Sequence, residues 1–267
     1  MDRRKPHRTS KPHRLRHLLL ASAFALSIGQ AAAAAPGHLY PGGADRVQPD
    51  PAVSRTHVLV IAMNSTDAVD ILRRAGFNNI TAATTPSELA DAWHHLDRYD
   101  LVTWSYHEFS YSYASGDFLA AHHDDLLRYV KGGGHLLGVT RDDPADNDAV
   151  LSAFRLRYDG AGTQASPGFA QVDTASPIFA MPNRIDNQAL RAEGAAVGDG
   201  GFVGNGLVSH NPQLHAVAMS PGGAPAVLAG RLGQGKVIFT AAEVTNPIFA
   251  TPMVLKLLQN MIDWLVS

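Results

Sequence analysis

Short apolar runs alternate with helical patterns along most of this chain from residue 57 onward. Four of these runs have the length and composition of buried strands, namely His57 to Ala62, Asn79 to Ala82, Leu101 to Trp104 and His135 to Thr140. The stretches between them carry apolar residues at helical spacing. Strands that alternate with helices are typical of a mostly parallel sheet flanked by helices. The pattern therefore predicts a doubly wound α/β fold.

Capping signals set the limits of several predicted helices. One helix runs from Asp67 to Ala75 and is ended by Gly76, a good C-terminal cap. The segment Thr85-Pro86-Ser87-Glu88 combines an N-cap, a proline at the first helical position and a capping box. Asp117 to Lys131 is predicted as one helix. The last helix begins at Thr251-Pro252, with its apolar residues on one stripe.

The second half of the chain gives a less regular pattern. Asp143-Pro144 is predicted to cap and start a helix that runs toward Phe154. Residues 177–223 are rich in glycine and carry no clear helical period, which predicts antiparallel additions and loops. Ala226 to Ala229 and Lys236 to Thr240 then return to the core as strands around a glycine-containing turn.

The amino terminus has the pattern of a signal peptide. A basic stretch from Arg3 to Arg16 precedes an apolar stretch from Leu18 to Ile28 and an alanine run. We therefore expect a leader over residues 1–35, a flexible lead-in over 36–56 and a single domain over 57–267. This arrangement predicts a secreted or periplasmic protein with no membrane span in its mature form.

Net charge limits the binding partners that this protein can have, and the cysteine content limits its chemistry. The whole chain has a formal net charge of −2, and its leader holds seven Lys or Arg and one Asp, which leaves about −8 for the mature protein. An acidic product is a poor partner for nucleic acid or anionic lipid. The chain has no cysteine, so neither a disulfide framework nor thiol catalysis is possible.

Three motifs carry a resemblance to a known superfamily. They are Tyr99-Asp100-Leu101-Val102 leading into a strand, the segment from Leu127 to Gly134, and Gly233-Gln234-Gly235-Lys236-Val237 before the last strand. Over residues 57–266 the chain resembles the class I glutamine amidotransferase-like superfamily. It is most similar to branches such as the ThuA-like proteins and the accessory domain of some beta-galactosidases. The resemblance implies a flavodoxin-like sheet and specifies a fold better than an activity.

The residues that the superfamily uses for catalysis are replaced in this chain. The resemblance places the catalytic cysteine on Thr140 and the glycine that follows it on Asp142. It places the catalytic histidine just after the last strand, where this chain has Ala241-Ala242-Glu243. Neither half of the thiol-imidazole pair is present, so we expect no glutamine hydrolysis.

A hydrolase of a different kind remains the alternative. Thr140 follows a predicted central strand, and a threonine hydroxyl becomes a nucleophile only beside a base. His107 and Glu108 follow the third strand, and Glu243 follows the last, all at the edge where open α/β sheets bind ligands. These three residues are the candidate bases for Thr140 or for a water molecule. Alternatively, these residues are simply solvated loop positions and helix caps without a catalytic role.

The same edge carries the best candidate for ligand binding. The loop from Ser105 to Ser115 crowds aromatic rings and hydroxyls together, which suits stacking against sugar rings or a partner surface. Local packing against the sheet edge is the competing interpretation. The candidate ligand-binding residues are Asn64, Ser105, Tyr106, Phe109, Tyr111, Tyr113, Arg141 and Asn246.

Cofactor and metal sites find little support in the sequence. The acidic run from Asp142 to Asp148 lacks the glycine and distal glutamate of an EF-hand and is accounted for by capping. The histidines are scattered, without zinc-ligand spacing. Gly198 to Gly206 is followed by no helix pattern and has no suitably placed lysine, so a phosphate-binding loop is not expected. We expect neither a cofactor nor a metal.

These observations favour an exported, non-catalytic binding or accessory module. Carbohydrate or a protein partner at the cell envelope is the expected ligand, with nucleic acid excluded on charge. A purely structural role in assembly is a third possibility, which would require an exposed apolar patch.

Overall fold

The computed structural model describes residues 55–109, 114–140, 148–159, 165–198 and 201–267. Within them the strands are β1 Val58–Ile61, β2 Ile80–Ala83, β3 Leu101–Trp104, β4 His135–Val139, β5 Leu156–Tyr158, β6 Gln171–Val172, β7 Leu207–Ser209, β8 Leu214–Met219, β9 Pro225–Leu232 and β10 Gly235–Thr240. The α-helices are α1 Asp67–Arg74, α2 Pro86–Trp93, α3 Tyr106–Phe109, α4 Ala114–Ala121, α5 His123–Lys131, α6 Asp148–Ala153, α7 Pro177–Ala180, α8 Asn187–Val197 and α9 Pro252–Val266. Short 3-10 helices span Leu96–Arg98 and Pro247–Phe249.

One large twisted sheet organises these elements. Its strand order is β2-β1-β3-β4-β10-β9-β8-β6, and β5 pairs separately with β7. The first five strands in that order are parallel, and β9, β8 and β6 extend the sheet in antiparallel fashion. The predicted α/β fold with a mostly parallel sheet and small antiparallel additions is confirmed. The strand β4 lies between β3 and β10, the central position that the sequence predicts.

Helices cover both faces of the sheet and bury a core on each. Val58 and Val60 of β1 join α1 and α9 in one cluster, whereas Leu59 and Ile61 join α2 and α5 in the other. Alternate residues of a strand point to opposite faces, so a strand covered on both sides reads as a continuous apolar run. This double burial explains why the inner parallel strands β1, β3 and β4 can be recognised from the sequence.

The capping signals that flank α2 and α9 act as predicted. Thr85 accepts a hydrogen bond from the Glu88 amide, and Glu88 reaches back to complete the capping box. Thr251 caps α9 by accepting from the Val254 amide. The predicted apolar stripe of α9 is buried along its length, at Val254, Leu257, Leu258, Met261, Ile262 and Leu265.

Two predictions about helices are wrong. The helix predicted from Asp117 to Lys131 is broken at His122, whose ring stacks on Phe118 with centroids 4.3 Å apart and places Nδ1 3.0 Å from Asp125. The interval 177–223, predicted to lack helices, contains α7 and the 11-residue α8.

Local signals for α8 are present in the sequence. Asp186 caps the helix by accepting from the amides of Gln188 and Ala189, and Gly198 ends it with a φ of 75°. Because the surrounding sequence is rich in glycine, these two caps did not lead to a predicted helix. Of the helix predicted after Asp143-Pro144, residues 148–153 form α6, while its predicted start lies outside the described residues. The predicted leader and nearly all of the lead-in also lie outside them.

Close backbone approach joins β10 to the end of α5. A Cβ added at Gly235 would overlap two carbonyl oxygens, those of Val130 and Gly134, because it would lie closer to them than van der Waals contact allows. The glycine-rich ends of α5 and of the β9–β10 turn therefore pack main chain against main chain. This packing explains why glycines recur in the motifs on both sides of it.

Among the residues that the structure describes, no helix combines the length and apolar character needed to cross a bilayer.

His135 begins β4 and fixes the start of the neighbouring strand. Its Nδ1 accepts a hydrogen bond of 3.1 Å from the backbone amide of Lys236. Burial, followed by the positive charge of Lys236, lowers the pKa of His135 below its ordinary value of 6.5, with Asp100 opposing and Arg231 adding to the shift. A protonated imidazole could no longer accept the amide.

Acidification is expected to destabilise the protein through His135. Because its pKa is lower in the folded than in the unfolded state, the unfolded chain takes up the proton first as the pH falls below about 6.5. This contribution to stability is complete above that pH and is lost toward the folded pKa. Thermal unfolding between pH 7.5 and pH 5 should show a smaller fall in Tm for His135→Asn, which keeps an acceptor without titrating, than for the unsubstituted protein. Equal slopes would contradict the assignment.

Candidate functional site

The carboxyl ends of the parallel strands meet at one edge of the sheet. β1, β3, β4 and β10 are neighbours in parallel register, so the residues that follow them converge there. This edge is where open α/β sheets bind ligands. It carries the candidate residues that the sequence analysis placed after those strands.

Thr140 follows β4 and is fully buried. Its amide donates to the carbonyl oxygen of Thr240 at 2.8 Å, and its hydroxyl donates to the same oxygen at 3.2 Å. The hydroxyl proton is therefore directed at a main-chain carbonyl of β10. In this arrangement the side chain ties the ends of two central strands together.

Glu108 is also fully buried, and it holds the loop that follows β1. Its Oε1 accepts from the amides of Asn64 at 2.7 Å and Ser65 at 3.0 Å. Its Oε2 accepts from the side-chain amide of Asn64 at 2.9 Å, and that amide donates in turn to the Ser115 hydroxyl at 2.9 Å. The carboxylate thus connects three segments, the β1 loop, α3 and the start of α4.

Glu243 and Asn246 come together after β10. Both are buried, and the side-chain amide of Asn246 donates to the Glu243 carboxylate in a short hydrogen bond. The Asn246 Oδ1 accepts from the Ile248 amide at 3.0 Å, which caps the 3-10 helix Pro247–Phe249. The Glu243 amide donates to the Phe202 carbonyl at 2.9 Å. This pair shapes the chain that leads from β10 to α9.

The described residues of the aromatic-rich loop from Ser105 to Ser115 include both buried and accessible side chains. Phe109 is fully buried and stacks on Trp104, with centroids 5.9 Å apart. Tyr106 and His107 are half-buried, and their rings lie 3.9 Å apart. Ser105 is buried, and its hydroxyl has no hydrogen-bond partner in the described part of the chain.

Tyr111, Tyr113 and Arg141 lie outside the described residues. The same holds for the acidic run up to Asn147. Within the described ranges, no three His, Asp or Glu side chains come together in a way that could hold a metal ion.

The candidate residues thus form two hydrogen-bonded pairs, and Thr140 belongs to neither. Glu108 joins Asn64, and Glu243 joins Asn246, each through a carboxylate that accepts from an asparagine amide. The hydroxyl of Thr140 joins neither of them and bonds to Thr240.

Several hydroxyl groups that support this edge were not predicted from the sequence. Thr103 donates to the Leu137 carbonyl at 2.9 Å, and Thr245 donates to the Trp104 carbonyl at 3.3 Å. The Thr240 hydroxyl accepts from the Ala242 amide at 3.0 Å. A polar residue inside an otherwise apolar strand, such as Thr103, is a usable signal, because buried hydroxyls are nearly always hydrogen-bonded.

No protein-family model and no curated protein matches this chain. Solved structures do resemble it. Cytoplasmic Protein STM3548 from Salmonella typhimurium is 18% identical with a TM-score of 0.53, over 78% of this chain and 98% of its own. A GMP synthase-type protein from Thermoplasma acidophilum is 11% identical with a TM-score of 0.50, over 77% of this chain and 92% of its own. A ThuA-like protein from Parabacteroides merdae is 13% identical with a TM-score of 0.43, over 79% and 89%.

Identities this low show a shared fold and no more. The class of molecule that they define, together with the strand order, is an α/β protein of the glutamine amidotransferase-type fold. The fold resemblance inferred from the sequence motifs is therefore confirmed at that level.

Proposed function

We propose that this protein is an exported, non-catalytic member of the amidotransferase-like superfamily that serves as a binding or accessory module. Its ligand is a carbohydrate or a protein partner at the cell envelope. The observation that carries the proposal is the state of Thr140, which is fully buried and donates its hydroxyl to the Thr240 carbonyl. A nucleophilic hydroxyl needs access to the substrate and a base that accepts its proton. The Thr140 hydroxyl instead donates its proton to a main-chain carbonyl, which is not a base.

The replaced residues support the same conclusion. Thr140 stands where the resemblance places the catalytic cysteine, and Ala241-Ala242-Glu243 stands where it places the histidine. A thiol with a pKa of roughly 8.5 is partly ionised near neutrality, whereas a hydroxyl is not. The proposal therefore takes as its functional models the branches without amidotransferase activity that the sequence motifs resemble, such as ThuA-like proteins or the accessory domain of some beta-galactosidases.

The buried glutamates favour a structural role over water activation. Glu108 is fully buried and directs both carboxylate oxygens at donors of the β1 loop. Glu243 is fully buried and accepts from Asn246. A general base must lie within hydrogen-bond reach of the proton that it abstracts, and each of these buried carboxylates instead organises its own loop.

Accessible groups at this edge suit ligand binding. Asn64 is exposed, and Tyr106 and His107 are half-buried with adjoining rings. An aromatic face beside hydrogen-bonding groups offers apolar area and polar contacts together. Export is supported by the signal-peptide pattern of residues 1–35, and the acidic mature charge disfavours nucleic acid.

Thr140→Val tests the proposal, with Thr103→Val as its matched control. Both threonines are fully buried, and both donate to a main-chain carbonyl of a neighbouring strand. Each variant should lose about 1 kcal/mol of unfolding free energy. The chain is produced with its leader, recovered from cell fractions and assayed for release of ammonia from glutamine and of nitrophenol from glycosides and esters.

The expected result is processed protein in the periplasm or medium with no hydrolysis above background in any of the three proteins. Hydrolysis that Thr140→Val abolishes and Thr103→Val preserves would establish an enzyme instead. Unprocessed protein confined to the cytoplasm would refute export.

A further inference from the structure

A groove of about 870 Å³ lies on one face of the sheet, beside α2 and α5. Its lining includes Tyr99 and Asp100, which precede β3, and residues 132–135, which lead into β4. The candidate site described above follows the carboxyl ends of the same strands. The groove therefore lies toward the opposite edge of the sheet, and its volume is within the range of about 300–1,000 Å³ typical of small-ligand sites.

Aromatic rings from two helical segments form one wall of this groove. Trp93 of α2 meets Phe118 of α4 edge to face, with centroids 5.2 Å apart. The ring of His122 stacks on Phe118 at 4.3 Å and lies 6.1 Å from Trp93. Phe118 and His122 are only half-buried, so part of this aromatic surface faces the groove.

Trp93 carries a hydrogen-bond donor that the fold leaves unused. The residue is only 8% exposed, and its indole Nε1 has no hydrogen-bond partner among the described residues. Buried donors are almost always paired, and an unpaired one costs about 1–3 kcal/mol. Trp93 lines the groove, but the nitrogen itself is enclosed, so the acceptor of a ligand pairs with it only if the indole turns toward the groove.

Further polar groups in the lining include both donors and acceptors. Because the Nδ1 of His135 accepts the Lys236 amide, the proton of its neutral ring is on Nε2, which is a donor. Asp125 is held by His122 and Arg128 and presents a carboxylate acceptor. Tyr129 donates to the Tyr99 carbonyl at 3.0 Å, which leaves its oxygen able to accept.

We propose that this groove binds a neutral sugar ring. The inference rests on the proposed binding function and deepens it by naming the ligand class and a second site. A ring with hydroxyl groups on its edge and C–H groups on its faces needs aromatic surface, donors and acceptors together. The groove has all three, and an anion would meet the three carboxylates of Asp97, Asp100 and Asp125 against the single guanidinium of Arg128.

The experiment titrates the mature protein with cellobiose, lactose, mannobiose and chitobiose, followed by calorimetry and tryptophan fluorescence. Trp93→Phe removes the free donor and retains an aromatic ring, and Phe118→Ala removes aromatic surface. Trp264→Phe is the matched control, because that indole is on α9 beside Lys236, with Nζ 5.2 Å from the ring. Tyr106→Ala tests for binding at the candidate functional site, at the edge where the carboxyl ends of the parallel strands meet.

We expect at least one disaccharide to bind, and Trp93→Phe and Phe118→Ala each to weaken it by about tenfold. Trp264→Phe should retain the affinity, and Tyr106→Ala shows whether any of the observed binding takes place at the other site, after the carboxyl ends of the strands. Unchanged thermal unfolding of Trp93→Phe separates lost binding from lost structure.

Two outcomes would overturn the groove assignment without deciding the proposed function. Sugar binding that only Tyr106→Ala weakens would place the ligand at the carboxyl edge and leave the binding-module proposal intact. Binding of none of the four probes would refute the groove as a sugar site, and the hydrolysis assays with Thr140→Val would still decide whether the protein is an enzyme.

Discussion

Replacing Glu108 with alanine is expected to remove about 3 kcal/mol of unfolding free energy, a large part of the stability of an ordinary domain. The carboxylate is fully buried and accepts from the Asn64 amide, the Ser65 amide and the Asn64 side chain. Hydrogen bonds to a charged acceptor are stronger than neutral ones, and alanine leaves their donors without it. Urea unfolding monitored by circular dichroism gives the measurement.

Glu88→Ala is the matched control for Glu108→Ala. Glu88 also accepts three hydrogen bonds, from the Thr84 amide, the Thr84 hydroxyl and the Thr85 amide, but its carboxylate is at the solvent-exposed start of α2. Those hydrogen bonds, chiefly from Thr84, lower the pKa of Glu88 below its ordinary value. Water can replace them, so the loss of stability should be much smaller.

Glu108→Gln should fall between the two alanine variants, because its amide oxygen can still accept from the two backbone amides. If Glu108→Ala proves no more destabilising than Glu88→Ala, the carboxylate does not hold the β1 loop. The residue would then be available for another role at this edge.

Gly235→Ala is expected to cost about 3 kcal/mol, at or above the upper end for overpacking a folded core. The added methyl group would overlap the carbonyl oxygens of Val130 and Gly134, and both belong to the main chain. A side chain could rotate away, but here α5 or β10 would have to shift as a whole. The shift would also disturb the pairing of β10 with β4 and β9.

Gly222→Ala provides the comparison for this substitution. An added Cβ there would have as its nearest neighbour the Ser220 hydroxyl at 3.8 Å, an ordinary contact distance. Its stability should change by less than about 0.5 kcal/mol, or rise slightly because alanine restricts the unfolded chain. Differential scanning calorimetry of the two variants tests the packing directly, and equal Tm values would show that α5 and β10 can separate at little cost.

Much of the central sheet could be predicted from sequence, because the inner parallel strands β1, β3, β4 and β10 are largely apolar and buried on both faces. Local caps such as the Thr85–Glu88 box and Thr251-Pro252 are equally visible, since cap and helix are contiguous. The helix α8 was missed even though Asp186 and Gly198 bound it. Its neighbourhood is rich in glycine, and the burial of Leu190 against distant elements stabilises it more than any local pattern shows.

The sequence predicts at which edge of the sheet the candidate residues lie, but not which hydrogen bonds they form. The positions of Glu108 and Thr140 after strands place them at the carboxyl edge. The partners of Glu108 are 43 and 44 residues away, and Thr240 is 100 residues from Thr140. Such pairings arise only once the strands are ordered. The groove beside Trp93 was overlooked for the same reason, because its aromatic wall is assembled from α2, α4 and the residue between α4 and α5.

The outermost strands of the described sheet are both short. β2 has four residues and β6 has two, whereas the antiparallel strand β9 inside the sheet has eight. An edge strand exposes unpaired amides and carbonyls that can recruit another chain, and shortening it is one way in which proteins limit that risk. The sheet therefore offers a neighbouring molecule little backbone with which to continue it. Among the described residues, a chain added beside β6 would gain few backbone hydrogen bonds, because that strand has only two residues.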